Sequence, residues 1–317
     1  MTDFGYALSS EEHGPRELVA NARAAEAAGF TFALISDHFH PWTDSQGQSP
    51  FVWSVIGAIA GETERLELGT GVTCPTIRLH PAIVAQAAAT SAALMPGRFF
   101  LGLGTGENLN EHVVGEPWPA PDERLAMLEE AVEVIRLLWQ GGYQTHRGDF
   151  YDVPQARLYT LPEELPPIAI AAAKPGAAEV AGRLGDAFVN TAPDREVIEQ
   201  FETAGGRGKA KYGQITMCWA ETEEQGRKTA LEIWPNAALG GDLGYELPLP
   251  RHFEEATENL TEEDIGDAIP CGPDPERYLE DIRTYEEAGY THIYFHQIGR
   301  DQTGFLSFFE RDLKPKL

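Results

Sequence analysis

Phe99-Phe100-Leu101-Gly102-Leu103-Gly104-Thr105-Gly106-Glu107-Asn108-Leu109-Asn110-Glu111 is the stretch that separates two α/β folds. It opens as an apolar run of strand length and passes directly into a glycine turn. The dinucleotide-binding pattern G-x-G-x-x-G needs a third glycine at 107 or 109, where Glu107 and Leu109 stand, so that fingerprint fails. Further runs of strand length lie at 4–7, 32–35, 66–69, 168–171, 187–189, 215–219 and 292–295. Segments of helical period fall between them, near 15–28, 50–62, 80–94, 122–140, 174–184, 194–204, 221–234 and 273–288. Pro15 suits a first helical turn and Gly29 a C-cap. Glu26-Ala27-Ala28-Gly29-Phe30-Thr31 is echoed by Glu286-Glu287-Ala288-Gly289-Tyr290-Thr291 near the other end of the chain, as a closed repeat would have it. Eight strands alternating with helices predict a single (β/α)8 TIM barrel, with insertions at 141–166 and 236–272.

Composition limits the partners. The 317 residues carry 50 Asp+Glu against 24 Lys+Arg, a formal net charge of −26. Such a surface repels nucleic acid and anionic membrane, so neither is expected as a partner. Lysine is scarce, at 174, 209, 211, 228, 314 and 316, and the remaining cations are arginine. Many carboxylates with few lysines point to adaptation to concentrated salt, where screening removes the self-repulsion. Cys74, Cys218 and Cys271 form neither a disulfide framework nor a CxxC pair. The first residues lack a basic region followed by an apolar run, and no stretch approaches the ~18 apolar residues of a membrane span. A soluble protein of a reducing cytoplasm is expected.

In a barrel the reactive groups sit after the C-terminal ends of the strands. Those positions hold Ser9, Ser10, Glu11, Glu12 and His13, then Ser36-Asp37-His38-Phe39-His40-Pro41-Trp42, then Thr70-Gly71-Val72-Thr73-Cys74-Pro75, and then the Gly104–Asn110 turn. His38 is the base candidate, because imidazole titrates near neutrality and a carboxylate such as Asp37 can orient it. His40 makes an H-x-H pair with it, yet no third His or Cys stands at a matching spacing, so no metal is expected. Glu107 follows a Gly-Thr-Gly turn where backbone can approach a flat cofactor; its plainer role is a first-turn carboxylate of the next helix. Trp42 is either core or a wall beside substrate. Lys174 can meet phosphate or be an ordinary helix-start lysine. The basic stretch 207–211 precedes a strand, so it is read as solvated loop on the opposite, stability face.

The blocks Ser36-Asp37-His38-Phe39-His40-Pro41-Trp42, Gly69-Thr70-Gly71-Val72-Thr73-Cys74-Pro75-Thr76 and Gly102–Glu111, with Phe295-His296, Asp301-Gln302 and Phe305-Leu306, resemble the bacterial-luciferase-like barrel oxidoreductases. Within them the likeness is to F420-dependent glucose-6-phosphate dehydrogenase and its relatives. The resemblance implies coenzyme F420, a deazaflavin, at the barrel mouth, with FMN the less expected cofactor. It implies hydride transfer from a carbinol carbon of an alcohol or sugar to the deazaflavin C5, and a homodimer. His38 would then take the hydroxyl proton, Trp42 and Glu11 would line the reacting centre, and Glu107 would protonate or polarise the ring. Asp37, Val72, Thr105, Gly106 and Asn110 would contact the cofactor, and Gly71–Val72 would be a cis peptide.

Two departures from that family bear on substrate. Ala173-Lys174-Pro175-Gly176 replaces a Gly-Gly phosphate turn, so Ala173 and Lys174 would meet the cofactor phosphate. The three basic positions that clamp a sugar phosphate fall on Asp194, Glu255 and Ala268, and carboxylates there would repel a dianion. An unphosphorylated alcohol or sugar is therefore the expected substrate. The alternatives are a sugar phosphate clamped by Arg251, an FMN-dependent monooxygenase, and a non-catalytic cofactor-binding barrel; His38, Trp42 and Glu107 argue against the last, since storage needs no base.

Overall fold

The computed structural model describes residues 2–317. Its strands are β1 (Asp3–Leu8), β2 (Phe32–Ile35), β3 (Glu67–Thr70), β4 (Phe99–Leu103), β5 (Gln144–Arg147), β6 (Asp152–Ala156), β7 (Ile168–Ala171), β8 (Ala187–Asn190), β9 (Ala210–Met217) and β10 (His292–Gln297). All but β5 and β6 close a barrel in the order β1-β10-β9-β8-β7-β4-β3-β2, every pairing parallel. This is the expected (β/α)8 barrel. Parallel strands are covered on both faces, which is why their sequences read as apolar runs rather than alternations.

The inward set comprises Phe32, Leu34, Phe100, Val189, Tyr212 and Tyr294 with small neighbours. Tyr212 of β9 meets Phe32 of β2 at 5.2 Å and Phe100 of β4 at 5.0 Å, contacts that cross the barrel and plug it. Ala7, Val72 and Ala171 are half-buried and close this column towards the mouth. The outward set packs under the surrounding helices: α1 (Pro15–Ala28), α2 (Val52–Glu62), α3 (Pro81–Leu94), α4 (Asn108–Glu111), α5 (Pro121–Leu138), α6 (Pro175–Leu184), α7 (Arg195–Phe201), α8 (Glu223–Ile233), α9 (Leu243–Glu246), α10 (Pro250–Thr257), α11 (Glu262–Ala268), α12 (Pro275–Ala288) and α13 (Gln302–Phe308).

The echoed segments are helix ends with one geometry. Gly29 and Gly289 cap α1 and α12 at φ 90° and 112°, a left-handed conformation that glycine adopts without strain. The strands that follow, β2 and β10, are the two neighbours of β1, so the echo marks the seam of the barrel. The Gly71–Val72 bond is cis, as the resemblance implies.

Two expectations are corrected. The strand predicted at 215–219 runs from Ala210 to Met217, because Tyr212 and Gly213 register with His292 and Ile293. In consequence the basic stretch is solvated turn only at Arg207 and Gly208: Lys211 is buried in β9 and pairs with Glu202 at 2.9 Å, and Lys209 donates to the Gly182 and Gly185 carbonyls. The cysteines are free thiols, as expected, although Cys218 and Cys271, distant in sequence, face each other across an isolated parallel bridge. The insertions are ordered: 141–166 carries the β5–β6 hairpin, and 236–272 carries α9, α10 and α11. Among the described residues, no helix is long and apolar enough to cross a membrane.

Gly102 has no room for a side chain. A Cβ there would lie 1.8 Å from the Thr70 carbonyl oxygen, and Thr70 Oγ1 already accepts from Gly102 N–H and donates to its carbonyl. Gly102→Ala is expected to destabilise the fold by about 3 kcal/mol, at the upper end for overpacking, since backbone must move. Chemical denaturation checks this; an unchanged midpoint would count against the tight β3–β4 approach.

Candidate active site at the barrel mouth

Two loops approach each other across the mouth, one after β2 and one after β4. On the first, His38 sets Nε2 3.3 Å from Glu11 Oε1 and Nδ1 3.2 Å from the His40 carbonyl. Both ring nitrogens thus have an oxygen acceptor within reach, which fixes the orientation of the ring. Glu11, on the loop after β1, is buried; its other oxygen accepts from Ser9 Oγ at 3.0 Å and Ser36 Oγ at 2.6 Å. Burial pushes the Glu11 carboxyl up, but His38, the Ser36 hydroxyl and a backbone N–H outweigh it and hold it below the ordinary range. Trp42 stands 5.1 Å from the imidazole and makes a T-shaped contact with Phe253 from α10 at 5.2 Å.

The carboxylate that orients His38 is therefore Glu11, a correction to the expectation for Asp37. Asp37 points away from the imidazole into the protein, where Arg78 donates to it at 2.9 Å and Thr73 at 2.7 Å. Adjacent residues of a strand end face opposite sides, so the neighbour in sequence is the wrong partner.

On the second loop, Gly106 (φ 77°) turns the chain and Glu107 becomes the N-cap of α4, half-buried. Asn110 joins the two loops. Its Oδ1 accepts from Phe39 N at 2.8 Å and His40 N at 3.2 Å, and its Nδ2 donates to Glu107 Oε2 at 3.2 Å. The Asn110 amide is thus committed to holding the loops, and Thr105 and Gly106 remain half-buried at the mouth. At the same end of the barrel Ala7, Val72 and Ala171 form a half-buried apolar layer over the inward aromatic column. A Cβ on Gly104 would come 2.7 Å from Val72 Cγ2, so glycine keeps that approach open. Small apolar groups with the Glu107 carboxylate on a neighbouring loop suit a planar, polar-edged ring.

The insertion 236–272 lies along this groove. Lys174 pairs with its Asp242 at 2.6 Å, Arg124 with its Glu246 at 3.1 Å, and Asn108 donates to the Glu246 carbonyl. Ala173 is exposed beside Lys174. Of the positions aligned with a phosphate clamp, Asp194 spends its carboxylate capping α7 through Val197 N at 3.1 Å. Glu255 and Arg251 are exposed on α10, and Ala268 is exposed at the end of α11. The side chain that α10 sets against Trp42 is Phe253, which the sequence reading missed although it is the buried apolar residue of that helix.

A second buried carboxylate–imidazole pair lies close by. Glu12 Oε1 stands 3.3 Å from His296 Nε2, and Glu12 Oε2 accepts from Gly299 N–H at 2.7 Å. His296 lies two residues beyond the inward-facing Tyr294, so the strand period alone places it at the rim. His40 is occupied, Nδ1 meeting the Leu109 carbonyl at 2.9 Å, and among the described residues no three His, Cys, Asp or Glu side chains converge as a metal site would need.

A family model described as luciferase-like monooxygenase matches residues 1–292. F420-dependent glucose-6-phosphate dehydrogenases from Nocardia farcinica and Rhodococcus jostii are each 38% identical to this chain, covering 99% of it and 98% of their own length. A solved F420-dependent secondary alcohol dehydrogenase, in complex with an F420-acetone adduct, is 28% identical with a TM-score of 0.91, over 99% of this chain and 98% of that one. An F420-dependent tetrahydromethanopterin reductase from Methanopyrus kandleri shares the fold at 20% identity and a TM-score of 0.79, over 99% of both chains.

Asn110→Ala would leave two loop N–H groups without their acceptor, at a cost of about 2 kcal/mol. The measurement is a denaturation midpoint alongside proteolysis within residues 36–42; a variant as stable and as protected as the wild type would remove Asn110 from its bridging role.

Proposed function

The chain belongs to the luciferase-like monooxygenase family, and we propose that it is a coenzyme F420-dependent dehydrogenase acting on the CH–OH group of an alcohol or sugar. The observation that carries this reading is the buried Glu11–His38 pair, with Glu107 tied to the same loop through Asn110. When bound, the deazaflavin supplies a hydride acceptor at C5. The protein supplies the rest. Ala7, Val72, Ala171 and Gly104 would seat the ring, and Glu107 would polarise or protonate its edge. His38 takes the proton of the substrate hydroxyl as the carbinol C–H is lost as hydride, and Glu11 and the His40 carbonyl hold the resulting imidazolium. Trp42 and Phe253 wall the reacting carbon and keep water from it.

The electrostatics of the mouth favour an unphosphorylated substrate. Arg124 and Lys174 are engaged by Glu246 and Asp242, and Asp194 adds a carboxylate at the end of β8. We further propose a homodimer through α2 and α3. Their outward residues Phe51, Ser54, Gly57, Ala58, Ile83 and Leu94 are exposed and uncharged on a chain of net charge −26, where two copies meet without repulsion. Adaptation to concentrated salt and a reducing cytoplasm, in which the three free thiols persist, complete the reading.

His38→Ala is expected to keep F420 binding and lose about 100-fold or more in turnover, the usual scale for a general base. Turnover near the wild-type value would remove His38 from the chemistry. On the substrate side, free glucose or a small secondary alcohol is expected to show a higher kcat/KM than glucose-6-phosphate, the gap widening at low ionic strength. Each carboxylate opposes the dianion by about 1–4 kcal/mol at contact distance. A tenfold preference for the phosphate at low salt would overturn this and shift attention to Arg251.

A further inference from the structure

Arg78 lies beneath the mouth, between the loop of His38 and the loop of Glu107. Its side chain is 7% exposed. Nη2 donates to Asp37 Oδ1 at 2.9 Å and to the Asp37 carbonyl at 3.0 Å, while its backbone N–H donates to Glu111 Oε2 at 2.7 Å. Asp37 is satisfied, since Thr73 takes its second oxygen. Glu111 is not: its Oε1 stands 3.5 Å from Arg78 Nε, and both atoms are buried without a hydrogen-bond partner. One guanidinium thus serves two buried carboxylates and fully pairs one of them. Glu111 also underlies the turn that presents Glu107, for a Cβ on Gly106 would come 3.1 Å from Glu111 Cγ and 2.6 Å from Cys74 Sγ.

We propose that Glu111, held against Arg78, is a positioning residue whose proton couples cofactor binding to pH. The inference rests on the F420 reading above. The groups that face Glu111 are Arg78 and Cys74 from the β3–α3 connection, Asp37 from the end of β2, Glu107 from its own loop, and Tyr151 from the hairpin insertion. Burial raises Glu111 most, Arg78 pulls it down through its N–H and its charge, and Glu107 and Asp37 push it up again, to about 7. A ring laid over residues 105–107 removes more water from this cluster, and an anionic cofactor adds negative charge. Both favour the neutral acid, so binding takes up a proton wherever Glu111 is ionised beforehand. Arg78 remains with Asp37 in either state and holds the His38 loop.

The sign follows from linkage. With Glu111 neutral before and after binding, affinity does not depend on pH, so the Kd for F420 is flat below about pH 7. Above it the Kd rises, with a limit of about tenfold per pH unit for one proton. F420 fluorescence titrations from pH 6 to 8.5 read this directly. Glu111→Gln is expected to flatten the profile while retaining the low-pH affinity, and Glu107→Gln to leave the slope in place. A slope that survives in Glu111→Gln, or that vanishes only in Glu107→Gln, overturns the proposal; absence of F420 binding in the wild type overturns the cofactor reading instead.

Two measurements guard against a variant that fails to fold. Calorimetry of wild-type binding in buffers of different ionisation enthalpy should find no proton uptake at pH 6 and uptake approaching one proton near pH 8; no uptake at either pH refutes the inference. Thermal unfolding of the protein without cofactor gives a second readout. The folded-state value of Glu111 is raised above the unfolded one, so its contribution is fully present below about pH 4.5 and is lost as pH rises through about 7. The Tm of Glu111→Gln should therefore gain on that of the wild type as pH rises from 5 to 7 and hold its lead above; a constant difference across that window would sink the idea.

Discussion

Closing a parallel sheet on itself removes both unpaired edges, and that closure is the constraint from which the rest of this structure follows. β1 is hydrogen-bonded to β2 on one side and β10 on the other, so the strands nearest the two ends of the chain are neighbours. The loops after β1 and β10 meet there: Glu12 accepts from Gly299 N–H and faces His296, and the buried Tyr6 hydroxyl donates to Gln302. Closure also sends every strand-end loop to one rim. Glu11, His38 and Glu107 follow three different strands and meet at one rim only because those strands are parallel around one axis.

The rim is held by polar contacts between loops rather than by packing. Asn110 bonds two N–H groups of the His38 loop and the Glu107 carboxylate, and Arg78 bonds that loop and the acid loop from beneath. Each contact is part-buried, and the Asn110, Asp37 and Glu111 side chains at its centre are fully buried, so its loss leaves a polar group poorly placed to recover water. That geometry keeps His38 and Glu107 at a fixed separation, which a mobile loop would not supply.

Much of the barrel was legible in the sequence because its strands are short apolar runs and its helices end on glycines such as Gly29 and Gly289, whose positive φ is a local requirement. The hairpin was hidden for the opposite reason. β5 is Gln-Thr-His-Arg, with no apolar alternation to read, and its fold depends on Glu130 accepting the N–H groups of Asp149, Phe150 and Tyr151. β9 began earlier than its apolar run because Lys211 is buried against Glu202, a tertiary pairing that no periodicity encodes. At the site, the residue types and strand ends were readable, but partners were not. Asp37 and Glu11 are equally plausible companions for His38 in one dimension; only strand direction and the β1–β2 register decide between them.

The acidity of the chain divides into two populations that answer to different physics. Exposed carboxylates such as Glu62, Asp242 and Glu276 have cation partners with side chains exposed on both sides, and salt screens them over about 8–10 Å. The buried acids of the mouth are short-range objects. Glu11 has Ser9, Ser36 and His38; Glu12 has Gly299 and His296; Asp37 has Thr73 and Arg78. Each is matched within hydrogen-bond distance, so salt that relaxes the surface leaves the site's internal charge balance almost untouched. Glu111 is the exception, a buried acid with half a partner, and it sits beneath the turn that carries Glu107. In a molecule whose other mouth acids are paired, that one shortfall places its proton-sensitive point under the proposed ring site rather than on the surface.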